Sequence, residues 1–277
     1  MLPIVSVIIP TYNRPHLLER AVQSVLHQTF RDFELVVVDD GSTDGTSELS
    51  LFNKIDPRLR YIKLPQNRGV SAARNAGVKA TSAPWLAFLD SDDEWLPDKL
   101  EKQVRWTTEH PDMHIVQTRE IWIRRGRRVN PPKTHEKSEG DLFAASIERC
   151  MITPSSVMLR RTLFEKMGGF NESLLACEDY NLWLRVTCQY KVGLIDENLL
   201  KRYGGHADQL SATVPALDRF RIQGLIDLLA GNVLSAEQRE LARKNLLWRA
   251  NILAQGYKKH GNSEEHERYK KIIAQYG

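Results

Sequence analysis

The sequence predicts an α/β protein built on a mostly parallel, doubly wound sheet. Short apolar runs rich in β-branched residues alternate with segments of helical periodicity over the first hundred residues. These runs, such as the one at 4–9, lack the polar alternation of a half-exposed strand, which indicates burial on both faces of a sheet. Polar clusters follow them at their carboxyl ends, where open α/β sheets bind ligands.

The expected elements follow one another at the spacing of a β-α-β pattern. The run at 4–9 predicts the first strand, and Pro15 predicts the first turn of a helix with apolar residues at helical spacing. Further strands are expected at 33–38, 59–64 and 85–90, with helices at about 44–55 and 71–80. This alternation predicts parallel strands joined by right-handed crossovers.

The pattern changes after Pro97. A helix is expected at about 97–109, a basic turn at 124–128 and a strand at 156–159, with a further helix from near Glu178. The polar loop that runs to about 139 is typical of a lid or an acceptor-contacting segment, or of a solvated hairpin. From Pro215 onward, the sequence predicts a helical appendage with basic and apolar residues interleaved.

The composition narrows the classes of partner and the cell compartment that we expect for this protein. The chain has 277 residues, 42% of them hydrophobic and 27% charged, with a formal charge of +4, which suits anionic substrates or a membrane surface and does not imply nucleic acid. Its three cysteines form no CxxC pair and no metal-ligand spacing, so buried or free thiols in a reducing compartment are expected. With no signal peptide and no run of eighteen apolar residues, we expect a cytoplasmic protein, peripheral at most on the inner face of the membrane.

The segment LDSDD at 89–93 ends an apolar run with three carboxylates in four residues. Asp90 and Asp92 are two residues apart, so on an extended backbone their side chains project to the same side. Two such oxygen donors could bind one Mg²⁺ or Mn²⁺ together with a substrate phosphate. The alternative is an acidic turn that caps the next helix.

Other polar residues follow the neighbouring predicted strands. Thr11 and Tyr12 follow the first strand and offer a hydroxyl and a ring face to a nucleobase, and Asp40 at the end of the second could accept a hydrogen from a base or ribose. Arg74 lies among small residues near a helix start and could pair with a phosphate or an acidic side chain. Helix capping and turn formation would explain Asp40 equally well.

Taken together, these motifs resemble the inverting family 2 glycosyltransferases, whose fold is called GT-A. The resemblance covers about residues 4–211 and is carried, in this order, by PTYNR, DDGSTDGT, NRGVSAARNAG, LDSDD, SSVMLRR, GGF and EDYNLWLR. It implies a glycosyltransferase domain at 1–213, with a nucleotide-sugar half at about 1–110 and an acceptor half at about 111–213. Residues 214–277 would then form a helical C-terminal appendage.

The resemblance also implies roles for particular residues. On the donor side, the base and ribose would be bound by Pro10, Thr11, Tyr12, Asp40, Arg74 and Asp90. Asp92 would bind the divalent metal, Mn²⁺ or Mg²⁺, and His206 is a further candidate ligand of the metal or phosphate. On the acceptor side, Asp179 would be the general base, with Glu178 and Trp183 in supporting or acceptor-side positions.

The implied function is inverting, metal-dependent transfer of one sugar from a nucleotide-diphosphate sugar, with UDP as the expected nucleotide. The acceptor hydroxyl would belong to a glycan or a lipid-linked molecule in cell-surface glycan or lipopolysaccharide assembly, with membrane contact through the C-terminal helices. The chain lacks the QxxRW motif and membrane spans of processive relatives, which favours single transfer. Two alternatives are a nucleotidyltransferase and a non-catalytic nucleotide-sugar-binding protein. The first is disfavoured because nucleotidyltransferases usually carry a glycine-rich loop straight after the first strand. Here that place is occupied by PTYNR, and no glycine precedes Gly41.

Overall fold

A computed structural model describes residues 3–53, 56–205 and 214–277. Its strands are β1 (Val5–Thr11), β2 (Phe33–Asp39), β3 (Leu59–Lys63), β4 (Trp85–Phe88), β5 (Glu94–Trp95), β6 (Ile115–Arg124), β7 (Arg127–Val129), β8 (Met158–Arg160) and β9 (Gly193–Gly204). Its helices are α1 (Pro15–Leu26), α2 (Val70–Lys79), α3 (Lys99–Glu109), α4 (Phe143–Glu148), α5 (Arg161–Lys166), α6 (Glu178–Thr187), α7 (Asp218–Ala230), α8 (Ala236–Lys259) and α9 (Ser263–Tyr276).

All the strands belong to one sheet, in the order β3-β2-β1-β4-β8-β6-β9-β5, with β7 paired to β6. The first four strands are mutually parallel. Strand β8 enters antiparallel between β4 and β6, and β6 pairs in parallel with β9. The parallel strands β1, β2 and β4 therefore end at one edge, where they deliver the acidic motifs to a common region.

The apolar strands are covered on both faces, as the sequence predicts. On one face, α1 packs Leu18 and Val22 against a cluster that includes Val7 of β1. On the other face, α2 packs Ala73 against a cluster that includes Ile8. Alternate residues of one strand thus enter opposite cores, which explains the absence of polar positions in the run.

The prediction of a helix at 44–55 is wrong for the residues described in that range. The chain there forms two 3₁₀ turns, Thr46–Glu48 and Ser50–Asn53. Gly45 has a φ of +81°, and the Asp44 carboxylate accepts the backbone N–H of Thr46 at 3.1 Å. This local hydrogen bond competes with helix formation, so turn chemistry prevails over periodicity.

The C-terminal helices pack directly on the sheet-bearing part of the chain. Leu225 of α7 and Leu246 of α8 share one apolar cluster with Phe143 of α4 and Tyr180 of α6. Arg249 of α8 is buried, and its guanidinium donates to two main-chain carbonyl oxygens near the end of α4. Among the helices described, none combines the length and the apolar character that a membrane crossing requires.

Candidate active site

The carboxyl ends of β1 and β4 open into a cleft of about 330 Å³. Pro10, Asp90 and Asp92 line its donor side, and Glu178 and Asp179 at the start of α6 line the opposite side. Asp92 and Asp179 are 87 residues apart in the sequence. The structure therefore brings the predicted metal-binding carboxylate and the predicted base into one space.

The acidic segment contains a third candidate ligand that the sequence argument missed. Oxygens of Asp90, Asp92 and Asp93 lie within 4.8 Å of one another. Burial, reinforced by the charges of Asp92 and Asp90, raises the pKa of Asp93 well above its usual value. Three clustered carboxylates are a donor set that suits Mg²⁺ or Mn²⁺, so the residues fit a divalent ion. Strand alternation would have turned Asp93 away, but Asp90 to Asp93 form a turn.

Two arginines of the first β-α segment contact Asp92. Arg14 lies 3.5 Å from its carboxylate, and Arg20 donates to its main-chain carbonyl oxygen. The guanidinium of Arg20 also stacks 3.7 Å over the ring of Tyr203 in β9. Asp92, the predicted metal ligand, is thus linked through Arg20 to Tyr203 of β9.

Arg74 joins the two sides of the site. Its guanidinium is buried and donates to Asp90 and to Glu178, each at 2.7 Å. Burial alone would lower the pKa of Arg74, but the two carboxylates together raise it, so the group stays charged. Asp90, predicted to bind the ribose, is therefore also paired with the arginine that holds Glu178 at the start of α6.

Glu178 and Asp179 are adjacent but differ in environment. Glu178 is buried, and its pKa is raised by burial against the opposing effect of Arg74. Asp179 is half-buried, accepts the N–H of Tyr180 at 2.7 Å and receives the Cys150 thiol at 3.3 Å. Burial and the Asp179 charge raise the pKa of the Cys150 thiol, which stays protonated. No sequence pattern indicated that the Cys150 thiol would contact Asp179.

The remaining donor-side residues cluster around two tight loops. Pro10 and Thr11 are buried at the end of β1, whereas Tyr12 exposes 42% of its surface. Asn13 ties this loop to the next: its N–H donates to Ser42 Oγ at 2.8 Å, and its Oδ1 accepts the N–H of Thr43 at 2.9 Å. The ring of Tyr12 is thus held at the surface by a braced turn.

Asp40 accepts the main-chain N–H groups of Arg68 and Gly69, at 2.9 and 2.7 Å. Burial raises its pKa against the effect of these two bonds. Its carboxylate therefore already holds the loop before α2, a structural role that accompanies the predicted contact with the base. Gly41, with a φ of +78°, lies so close to this loop that a Cβ would meet the carbonyl carbon of Gln66 at 2.7 Å.

Trp183 does not line the cleft. It is buried under the site, where its ring meets Phe170 edge-on at 6.4 Å, and Phe170 in turn supports the guanidinium of Arg74 at 4.9 Å. Of the two predicted roles, supporting or acceptor-side, this position is compatible with the supporting one, and the role of Trp183 stays a prediction. His206, the weaker metal candidate, lies outside the described residues.

The comparisons with known proteins agree with this geometry. The model of the family "Glycosyl transferase family 2" matches residues 6–168. The chain belongs to this family. An uncharacterized glycosyltransferase of Rickettsia felis is 38% identical over 197 residues, which cover 71% of this chain and 32% of that protein. The chain thus spans about a third of the length of the first curated relatives it matches.

A second relative matches over most of its own length. The Escherichia coli protein WfgD, named as a UDP-Glc:α-D-GlcNAc-diphosphoundecaprenol β-1,3-glucosyltransferase, is 32% identical over 197 residues, 70% of this chain and 73% of that protein. Among solved structures, Staphylococcus aureus TarS 1–349 in complex with UDP-GlcNAc superposes with a TM-score of 0.74 at 18% identity, covering 99% of this chain and 92% of TarS. At that identity the match establishes the fold, which is GT-A.

Proposed function

We propose that this protein transfers a single sugar from a UDP-sugar to an acceptor hydroxyl, with inversion at the anomeric carbon and with the help of a divalent metal. The observation that carries the proposal is the joint presence of Asp92 and Asp179 on one cleft of about 330 Å³. An inverting transfer needs a group that neutralises the leaving diphosphate and a base on the acceptor side. The cleft offers both.

The donor end is the cluster of Asp90, Asp92 and Asp93. These residues would hold Mn²⁺ or Mg²⁺, which supplies charge stabilisation to the departing diphosphate. Pro10, Thr11 and Tyr12 lie at the edge of the same region, where the exposed ring of Tyr12 offers a stacking face to a uracil. Arg74 keeps Asp90 in place for the ribose hydroxyls.

The acceptor end is the start of α6. Both carboxylates line the cleft, but Glu178 is buried and paired with Arg74, whereas Asp179 is only half-buried, which makes Asp179 the better base. A negatively charged group at the N-terminus of a helix interacts favourably with the helix dipole. Asp179 takes the proton of the acceptor hydroxyl, which attacks the anomeric carbon from the face opposite the diphosphate. One displacement inverts that carbon.

The acceptor class is inferred from relatives. The name of WfgD describes a diphosphoundecaprenol-linked acceptor, and that of TuaG of Bacillus subtilis places it, putatively, in teichuronic acid biosynthesis. We therefore assign this chain to cell-surface glycan assembly on a lipid-linked acceptor. Peripheral membrane contact through α8 would involve the exposed apolar side chains Trp248 and Ile252. The exposed basic side chains of this helix include Lys244, Lys258 and Lys259, whereas Arg249 is buried and would not take part.

A panel of nucleotide sugars tests this function without knowledge of the acceptor. With Mn²⁺ and water as the only acceptor, we expect slow release of UDP from at least one UDP-sugar, measured by chromatography. Asp92→Asn should abolish metal-dependent UDP binding while circular dichroism stays unchanged. Lys79→Gln, on the exposed end of α2, is the matched surface control. Unaltered UDP affinity with Mn²⁺ in Asp92→Asn would refute the metal assignment.

A further inference from the structure

A second cavity of about 220 Å³ adjoins the cleft. The two share a wall: Arg202 and Thr153 line the cleft, while their partners Glu120 and Lys137 line the second cavity. Glu120 accepts from Thr153 at 2.7 Å and from Arg202 at 3.3 Å, and Lys137 donates to Thr153 at 3.2 Å. Although burial would raise the pKa of Glu120, Lys137 and Arg202 lower it to about 2.

The indole ring of Trp122 extends this shared wall. Trp122 donates its ring N–H to Glu120 at 2.7 Å, and the guanidinium groups of Arg202 and Arg124 lie 5.2 and 5.4 Å from its centroid. The ring of His135 lies 5.6 Å away and lines the same cavity. Besides these two rings, the cavity is lined by the basic side chains Arg119, Arg128, Lys133 and Lys137 and by the acidic side chains Glu120 and Glu136.

The hairpin where β6 ends and β7 begins holds four exposed arginines, here termed the arginine turn: Arg124, Arg125, Arg127 and Arg128. None of them forms an ion pair with an acidic residue in 3–53, 56–205 or 214–277. The register places Arg124 directly opposite Arg127. Like charges facing each other across a strand pair are destabilising, so the pairing of these two strands does not account for the charge of the turn.

The arginine turn lies close to the cleft along the sheet. Trp122 pairs with Arg202, and Arg124 pairs with Gly204 two residues further along the same parallel ladder. At about 3.3 Å per residue, this step moves about 7 Å from the residue that lines the cleft. Residues two apart on a strand face the same side, so Arg124 and Trp122 share a face. A group attached to a sugar in the cleft would need to extend only about that distance beyond Arg202 to reach the turn.

We propose that the arginine turn and the adjoining cavity bind the diphosphate that links the acceptor sugar to its carrier. This inference rests on the proposed function and adds to it the part of the acceptor that is recognised. The planar guanidinium fork matches phosphate oxygens in pairs, and a diphosphate offers enough oxygens to engage several arginines at once. Recognition of the linker would select lipid-linked acceptors over free sugars.

The probes are two water-soluble compounds that differ only in the linker: hexyl GlcNAc-α-diphosphate and the hexyl glycoside of GlcNAc. Calorimetry on the full chain should give at least tenfold tighter binding of the diphosphate compound. This preference should weaken several-fold between 50 and 300 mM NaCl because the arginines are exposed. Equal affinity for the two compounds, or no binding of either, would overturn the inference.

The test variant replaces all four arginines of the turn by Gln. It should lose the preference for the diphosphate compound, whereas a matched variant with Arg31, Lys79, Arg105 and Lys191 replaced by Gln should keep it. Should the fourfold variant fold poorly, Arg125→Gln with Arg127→Gln tests the same point. An unchanged dissociation constant in a folded turn variant would also overturn the inference.

Two further arms separate this inference from its alternatives. Vesicles of phosphatidylglycerol that displace the diphosphate compound at equal phosphate concentration would assign the turn to a membrane surface and refute the acceptor role. UDP affinity with Mn²⁺ should be the same in the wild type and the turn variant. A wild type that does not bind UDP contradicts the proposed function itself, whereas normal UDP binding without diphosphate preference contradicts only this inference.

Discussion

Replacement of Arg74 by Met should destabilise the protein far more than a comparable change at the surface. The Arg74 guanidinium is buried and holds Asp90 and Glu178, each at 2.7 Å. Breaking a buried ion pair from one side costs about 3–5 kcal/mol, because the remaining charge is left without a partner. For 277 residues with an unfolding entropy of about 2.1 cal/mol/K each, this lowers Tm by about 5–9 °C.

Calorimetric unfolding of three proteins tests the reasoning. Arg68→Met is the matched control, because Arg68 pairs with Glu172 at 2.8 Å but exposes 55% of its side chain, so a loss below about 1 kcal/mol is expected. Arg74→Met with Glu178→Gln should recover part of the lost stability, since it removes a stranded charge. Equal Tm shifts in Arg74→Met and Arg68→Met would refute the account of this network.

The same network predicts a pH dependence. The pKa of Glu178 is raised in the folded protein, chiefly by burial. A carboxyl with a raised folded pKa stabilises the fold when it is protonated, below its ordinary pKa near 4.5, and this contribution is lost as pH rises through the folded pKa. Without Arg74 the charged form has no partner, so the deficit of Arg74→Met should shrink as the pH falls from 7.5 toward 5. A deficit that grows on acidification would contradict this.

Three further outcomes are expected. Gly41→Ala should lower the free energy of urea unfolding by more than Gly45→Ala. Both positions have a positive φ, which costs a non-glycine residue about 1–2 kcal/mol. At position 41, however, a Cβ would meet backbone at 2.7 Å, whereas the nearest atom at position 45 is a side-chain oxygen at 3.9 Å. With Mn²⁺, UDP should outcompete GDP, and a clear preference for GDP would overturn the uracil assignment to Tyr12 and Asp40. Liposomes with acidic lipid should sediment the full chain more than neutral ones; protein left in both supernatants would exclude membrane contact through α8.

Much of the donor half could be predicted because its signals are local. Buried parallel strands have a composition of their own, and the acidic motifs follow them directly, so the sequence predicts that Asp90 and Asp92 lie at the edge of the sheet. The helix expected at 44–55 failed where side-chain turn bonds at Asp44 prevailed. Such competition depends on geometry that periodicity does not encode.

The acceptor half was harder to predict because its site is assembled from distant segments. The contact of Cys150 with Asp179 and the pairing of Arg74 with Glu178 join residues 29 and 104 positions apart. No local pattern indicates such pairs. In the proposed mechanism they decide which of the two adjacent carboxylates acts as the base.

The most direct test of the account compares wild type, Asp179→Asn and Glu178→Gln with the same UDP-sugar and Mn²⁺. Calorimetry gives donor affinity, and single-turnover UDP release at saturating donor gives the rate, first with water and then with a lipid-linked acceptor. Asp179→Asn should bind the donor normally yet lose about 10²–10⁴-fold in rate, the usual contribution of a general base. Glu178→Gln should lose less. A fully active Asp179→Asn enzyme, or a larger loss in Glu178→Gln, would contradict the proposed mechanism.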